Sequence, residues 1–424
     1  MIDMTQSDYK DLALVSCIPE DWEIQPIKRF LVSHDGGAWG EDAKGDLGDR
    51  ICIRIADFDY VNGTVKENAE LTVRNYPQNV IEKLSLQQGD IIVEKSGGGE
   101  QTPVGRSIVF QQQYEALFAN FSERLRVQRK YNYNFVNYCL RAFYSIGGSY
   151  NYFNQTTGIQ NLNIGKFLSN IYLPCPQRTI QDAIVRYLDS KCAAIDEAIE
   201  RHKKIIEKLD EYKQTQIFKE MSAFPRVIPT KRVFKIYAGA TPKSAVKDFW
   251  DGSIIWITPA DFKTEDHYIT QGKRNITQTG YDSCNTTIVP AGSLVVSKRA
   301  PIGTVGIAKV PLCTNQGCLT CVLDKDADAE FFYYALIYKN KEMQQLGAGT
   351  TFQEISATAF ANMKLPYTQI EKQKIVSERL NMLDKKIQNY KEKHEIVISK
   401  LEEYRKSIIY HAVTGKIDCR EAVK

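Results

Sequence analysis

From Leu188 the apolar and semi-apolar positions run Leu188, Cys192, Ile195, Ile199, His202, Ile206 and Leu209, in alternating steps of four and three. Sustained over three heptads, that spacing is the seam of a coiled coil and predicts a long helix. A second, rougher seam follows near the C-terminus, held by Leu380, Ile387, Ile398 and Leu401 and interrupted by Asp384 and Lys391. Thr179-x-x-Asp182 and Thr368-x-x-Glu371 are predicted to open the two helices, a hydroxyl and a carboxylate satisfying the free first-turn amides. Pro225 and Gly415 lie past the ends, where helices stop.

The two helical stretches are copies of one another. Leu173-Pro174 overlies Leu365-Pro366, an offset of 192, and the register carries Gln181 onto Gln373, Leu188 onto Leu380, His202 onto His394 and Glu211-Tyr212 onto Glu403-Tyr404. A period this long is a duplicated module rather than a solenoid. His202 and His394, at one seam position, are expected in the interior of a helix pair, with its rim as the alternative.

Before each helix stands a body of strand-like runs between Gly, Pro and Asp clusters, such as ICIRIADFD and GDIIVEKSGGGEQTPVGRSIVF in the first. Asn132 to Tyr144 is predicted as a short amphipathic helix, followed by the polar, aromatic-studded SIGGSYNYFNQTTGIQNLN. The bodies echo one another: Ala56-Asp57-Phe58 and Ala260-Asp261-Phe262, Val93-Glu94-Lys95 and Val296-Ser297-Lys298, and Phe135, Tyr138, Leu140 and Phe331, Tyr334, Leu336. Their loops have diverged. The expected division is an arm at 1–21, a first body at 22–172, a helical region at 173–223, a second body at 224–364 and a second helical region at 365–424. Helices of about 40 residues would be about 60 Å long. An antiparallel pair would set one body at each end of the rod, and a parallel pair would set both at one end.

The 424 residues leave room for several domains and real cores. No apolar run approaches membrane-spanning length, and an N-terminus carrying Asp3, Asp8 and Asp11 is not a secretory signal, so a cytoplasmic protein with no membrane partner is expected. Ten scattered cysteines read as free thiols. A net charge of +4 neither announces nor excludes nucleic acid, because local clusters decide binding.

The order of head, helix, second head and second helix resembles the specificity subunit of Type I restriction-modification enzymes over nearly the whole chain. The likeness is carried by the duplicated Leu-Pro before each helix, the LDEYKQTQI and LEEYRKSII pair, the closing HAVTGKID, and the WGED, ADFD and EKSGGGEQTPVGR run of the first head. It implies an α+β fold in which two similar mixed α/β target recognition domains are separated by two long helices pairing as an antiparallel coiled coil, with a pseudo-two-fold internal repeat. It also implies a non-catalytic subunit that recognises a bipartite, interrupted site in double-stranded DNA. Two methyltransferase subunits would dock on the helical regions, and restriction subunits would join through them. This chain would bind no cofactor; S-adenosylmethionine, ATP and Mg would belong to those partners. The second head has RAPIGTVG where the first has its triple glycine, so the heads are expected to recognise different half-sites.

Candidate contacts follow from side-chain chemistry. Gly97-Gly98-Gly99, flanked by Lys95 and Arg106, could let backbone approach phosphates closely, the alternative being a plain turn; no Gly-Lys-Ser/Thr follows, so it is not a P-loop. Gln101 and Arg106 suit base edges, Arg for guanine and Gln for adenine. Asn151, Gln155, Thr156 and Thr157 offer donors and acceptors in the aromatic loop, or a crossover packed beneath the head. Lys298 and Arg299, with Thr350 and Thr351, are their counterparts in the second head. Cys318-x-x-Cys321 with Cys313 has a metal-like spacing but sits in a strand pattern without a fourth ligand, so no metal site is expected. Asp57, Asp59 and Asp261 read as turn and capping residues. No Pro-Pro dipeptide exists, so the Asn/Asp-Pro-Pro-aromatic box of amino-methyltransferases is missing, which argues against a self-sufficient methyltransferase or nuclease. A bipartite repressor acting alone is the other alternative.

Overall fold

The computed structural model describes residues 14–15, 18–156, 158–262, 267–347 and 354–420, with the side chain of Thr156 left undescribed. The chain folds as two compact units, one of Met1–His202 with Ile396–Lys424 and one of Lys203–Glu395. Each unit therefore holds one head and a part of both long helices. Among the described residues no helix is long and apolar enough to cross a membrane.

In the first unit an antiparallel sheet runs in the order Ser107–Val109, Ile91–Glu94, Ser122–Val127, Leu31–Gly36. A second sheet places Asp49–Ile53 between Ala116–Phe118, to which it is parallel, and Thr72–Asn75. Helix α1, Tyr133–Ser145, closes the core with Phe135, Val136, Cys139, Leu140 and Phe143, and Asn132 caps it by accepting from the amides of Asn134 and Phe135. The helix expected at 132–144 is thus present. Leu173-Pro174 lies in the strand Tyr172–Cys175, which pairs antiparallel with Glu23–Pro26.

Two long helices are present, α2 at Arg178–Ser222 and α4 at Ile370–Val413. Between them the second head has a five-stranded sheet, in the order Phe234–Ala238, Cys318–Leu323, Leu294–Ser297, Val305–Ala308, Tyr268–Ile269, and helix α3, Ala329–Tyr338, capped by Asp328. As in the first head, strands and a helix pack around a shared core, here containing Phe331, Phe332, Tyr334, Leu294 and Val296; the helix buries Phe331 to Leu336 without a break.

The predicted caps are displaced. The amide of Gln181 already donates to the carbonyl of Gln177, so Thr179 sits inside the first turn, and Thr368 lies before α4, where the amide of Gln373 donates to Gln369. A different side chain secures each start. Gln181 donates to the carbonyl of Pro176 at 2.8 Å and accepts from the amide of Asn132 at 2.9 Å. Its repeat mate Gln373 donates to the carbonyl of Thr368 at 2.7 Å and accepts from the amide of Asp328 at 2.9 Å. One buried glutamine per unit thus joins the first turn of a long helix to the cap of a head helix. The pairing is repeated two turns on, where Tyr138 donates to Asp189 and Tyr334 to Asn381, both at 2.7 Å.

The seam holds within each unit. In the first, Leu188, Ile195 and Ile199 share a core with Ile408, Ile409 and Ala412, and Arg405 pairs with Asp196. In the second, the pairs Asp210–Lys391, Lys213–Asp384 and Glu220–Arg379 ascend along α2 and descend along α4, which makes the pairing there antiparallel. Asp384 and Lys391, seam breaks in the sequence, are ion-pair partners across the helices. Asp384 is buried between Lys213 and His267, whose Nε2 lies 2.9 Å away. Burial pushes its carboxyl up, but those two groups outweigh burial and hold it below the usual carboxylate range. His202 and His394 are half-buried, so the fully interior position expected for them is not observed.

Replacing Gln181 by Leu strands a buried amide and a buried carbonyl, and is expected to cost about 2 kcal/mol in urea denaturation. Gln373→Leu should cost a similar amount, and the double variant should show additive losses because the two sites lie in separate units. Neutral single variants would mean that the glutamines are not what fastens the helices to the heads.

Candidate nucleic-acid interface

Two segments chosen separately from the sequence come together in the first head. Ser96–Gly97 pairs antiparallel with Gln160 and Asn161, in the hairpin formed by Phe153–Thr156 and Ile159–Leu162. The glycine loop and the aromatic loop are therefore neighbours in one three-stranded sheet. Gly97 and Gly98 have φ of 125° and 66°, and a Cβ on Gly98 would come within 2.7 Å of Gln160 Oε1 and 2.9 Å of the Val104 nitrogen. Only glycine fits there. Gly99, by contrast, has open space beside it.

Gln160 pins this loop from below and was not legible as a functional residue. Its side chain is buried, accepts from the amide of Val104 at 3.1 Å and donates to the carbonyl of Gly99 at 3.3 Å. Nothing in the polar run QNLN separates it from its exposed neighbours. Asn161 accepts from the Ser96 hydroxyl at 2.7 Å and fastens the rim.

The cations flanking the loop turn inward. Arg106 places Nε and an NH₂ group on the two oxygens of Glu94, at 2.8 and 3.1 Å, and stacks 3.7 Å from the centre of the Tyr60 ring. Its fork, expected to suit a guanine edge, is spent on a carboxylate that is 1% exposed. Lys95 contacts Glu123 at 3.3 Å, and His34 lies 2.9 Å from the same carboxylate. What the loop surface offers to solvent is polar, with one carboxylate: Gln101, Asn151, Asn154, Gln155 and Asn161 are exposed, and so is Glu100. Thr157 lies outside the described residues, and so do Thr350 and Thr351 of the second head.

There Lys298 and Arg299 converge on Glu354, at 2.7 and 2.8 Å. The Lys298 ammonium, bonded to Glu354, and the Arg299 guanidinium hold that carboxyl below its ordinary range. Two cations on one carboxylate leave a positive excess, and Arg299, 48% exposed, carries it to the surface. The aspartates have the roles expected of them: Asp57 accepts from the amide of Arg54, and Asp261 from the amide and hydroxyl of Thr258. Cys318 and Cys321 are buried in their strand, where burial pushes the Cys318 thiol up to about 12.

Residues 227–397 match the family model described as the Type I restriction modification DNA specificity domain. The second head with the first part of α4 is thus similar to a Type I DNA specificity domain. Among curated proteins, the Type I restriction enzyme MjaIX specificity subunit of Methanocaldococcus jannaschii is 34% identical over 192 residues, 44% of each chain. That match spans less than half of the relative's length. The putative MjaX specificity subunit of the same organism is 24% identical over 422 residues, 94% of each chain. Among solved structures, a chain from work on complex assembly and conformational transition of the type I R-M system superimposes with a TM-score of 0.71 at 15% identity, over 94% of this chain and 99% of that one. The HsdS subunit of Thermoanaerobacter tengcongensis follows with a TM-score of 0.52 at 14% identity, over 94% and 98%. At these identities the structures support the fold, and the specificity-domain match supports the resemblance read from the sequence.

Arg106→Ala leaves Glu94 buried without its counter-ion and is expected to destabilise the first unit by about 3 kcal/mol at neutral pH. Burial already pushes the Glu94 carboxyl up, and without the guanidinium it rises further. The folded state then binds a proton that the unfolded state does not, so the variant should gain stability as pH falls towards about 4.3. Denaturant melts at pH 8 and pH 5.5 should show its deficit shrinking; a constant deficit would show that Glu94 is not the cause.

Proposed function

We infer that this chain is a non-catalytic DNA-recognition subunit that gives sequence specificity to the partner enzymes of a Type I restriction-modification system. The observation that carries the reading is the pairing of a specificity-domain match with a duplicated framework whose loops differ. The glutamine fastening and the lysine–carboxylate pairs recur in both heads, while a glycine-rich polar surface carrying Glu100 in the first corresponds to one carrying Lys298 and Arg299 in the second. One framework with two surfaces suits two unlike halves of an interrupted site in double-stranded DNA.

In this reading 22–172 and 224–364 are the target recognition domains, and 173–223 and 365–424 the helical regions. Gln101, Asn151 and Gln155 hydrogen-bond base edges or phosphates, Gly99 allows close backbone approach, and Lys298 with Arg299 meets phosphate. Lys95 and Arg106 shape the loop from beneath. Exposed apolar side chains on α4 recur at heptad spacing, as Ile375, Met382 and Ile396 and again as Tyr390, Val397 and Tyr404, with Ile205 and Tyr212 on α2. A seven-residue repeat left in solvent suits a partner helix, which supports two methyltransferase subunits docking there. Restriction subunits join through them, S-adenosylmethionine, ATP and Mg serve those partners, and the complex works in the cytoplasm.

Selection from a random duplex pool by the chain with its methyltransferase partner should return two short sequence blocks at a fixed gap. A single block, or none, would sink the bipartite reading. Met382→Glu should weaken capture of the methyltransferase subunit by at least about tenfold with an unchanged melting temperature. Undiminished capture would place the docking surface elsewhere.

A further inference from the structure

A cleft of about 480 Å³ opens in the first unit between its head and the C-terminal part of α4, a volume within the usual range for small-molecule sites. Tyr60, Tyr144 and Tyr150 stand on its walls together with Arg141, Arg405 and Lys406, and Gln101 and Arg106 reach it from the loop region described above. Glu402 is the one carboxylate on the wall among the described residues, against four cations. Glu94 and Asp196 offset Arg106 and Arg405 from behind. Arg141 spends its guanidinium on the carbonyls of Val61 and Asn62, at 2.6 and 3.5 Å. Neither Arg141 nor Lys406 has an ion-pair partner among the described residues.

Two buried polar groups on this wall are unexplained by the fold. Arg405 is 6% exposed, and its Nε has no acceptor among the described residues. The hydroxyl of Tyr60 is likewise buried without a partner. Buried donors are almost always satisfied, and an orphan calls for an acceptor that arrives from outside. Oxygen-rich anions match a guanidinium edge, and aromatic walls beside cations suit a flat ring attached to such an anion.

We propose that this cleft binds a nucleoside phosphate, its phosphate against Arg141, Arg405 and Lys406 and its base against Tyr144 and Tyr150. Such a ligand could come as a free nucleotide or as one nucleotide of a nucleic acid. Only the second source rests on the DNA-recognition reading. Burial pushes the Arg405 guanidinium below its ordinary value, and nearby Arg141 adds to this; a bound anion would relieve both.

Calorimetric titration of the full chain with ATP, with pyrophosphate and with a random-sequence duplex tests the proposal. Lys406→Glu and Tyr150→Ala change exposed side chains, so unchanged melting temperatures should confirm folding. ATP is expected to bind the parent chain and to lose at least about tenfold in affinity in each variant, while pyrophosphate should respond to Lys406→Glu alone. If ATP fails to bind but both variants weaken the duplex about tenfold, the nucleotide enters as part of nucleic acid. ATP binding unchanged in both variants, or no response of any ligand to either, overturns the proposal. The ATP arm involves no DNA, so its failure leaves the bipartite selection experiment standing.

Discussion

A buried glutamine in the first turn of each long helix ties two otherwise separate pieces of chain at their most vulnerable point. A helix start has amides without partners, and so does the start of the head helix beside it. Gln181 and Gln373, 1% and 0% exposed, meet both needs at once. Each receives the amide of a capping residue and closes its own helix by donating to a carbonyl five residues back. Side chains that donate and accept in the same buried place fix orientation as well as proximity, because neither bond survives a rotation of one helix against the other. The tyrosine bonds further along hold the same two helices at a second point, and the cores of the heads form beneath them.

Much of this was legible in the chain because it depends on periodicity. The offset of 192 is the same for Gln181, Leu188 and the tyrosine partners Asp189 and Asn381, and a helix is specified by its apolar spacing wherever it packs. The head helix and the aspartate turns were readable for the same reason: their partners lie within a few residues. Long-range pairing was not readable. Asp384 looks like damage to the seam until Lys213 and His267 are seen to meet it from elsewhere in the second unit. Thr179 resembles a cap, yet the helix starts ahead of it because Gln177 supplies the first acceptor.

The candidate interface shows the same boundary between local and distant information. That glycine would be needed near 97–99 was evident, and two of the three have the backbone angles that require it. That Arg106 faces Glu94 was hidden, although the two are twelve residues apart, because the hairpin geometry that turns one strand back on the other is what aims them together. Gln160 was hidden more deeply, since a polar residue in a polar run carries no mark of burial. Both heads nevertheless place a lysine at the end of the same central strand and neutralise it with a carboxylate, Glu123 in one and Glu354 in the other. The loops diverge above a charge arrangement that stays the same.

The division into units has a genetic side. The second unit, Lys203–Glu395, is one uninterrupted stretch of chain that contains its head together with the segments of both long helices packed against it. One crossover within the coding region of each helix would exchange all of it in a single piece, and the two boundaries, at 202/203 and 395/396, fall near matching positions of the duplicated segments. The first unit has no such economy, since its fold is assembled from two stretches of chain that flank the second. Variation by recombination should therefore be easier to accommodate in the middle of this chain than at its margins.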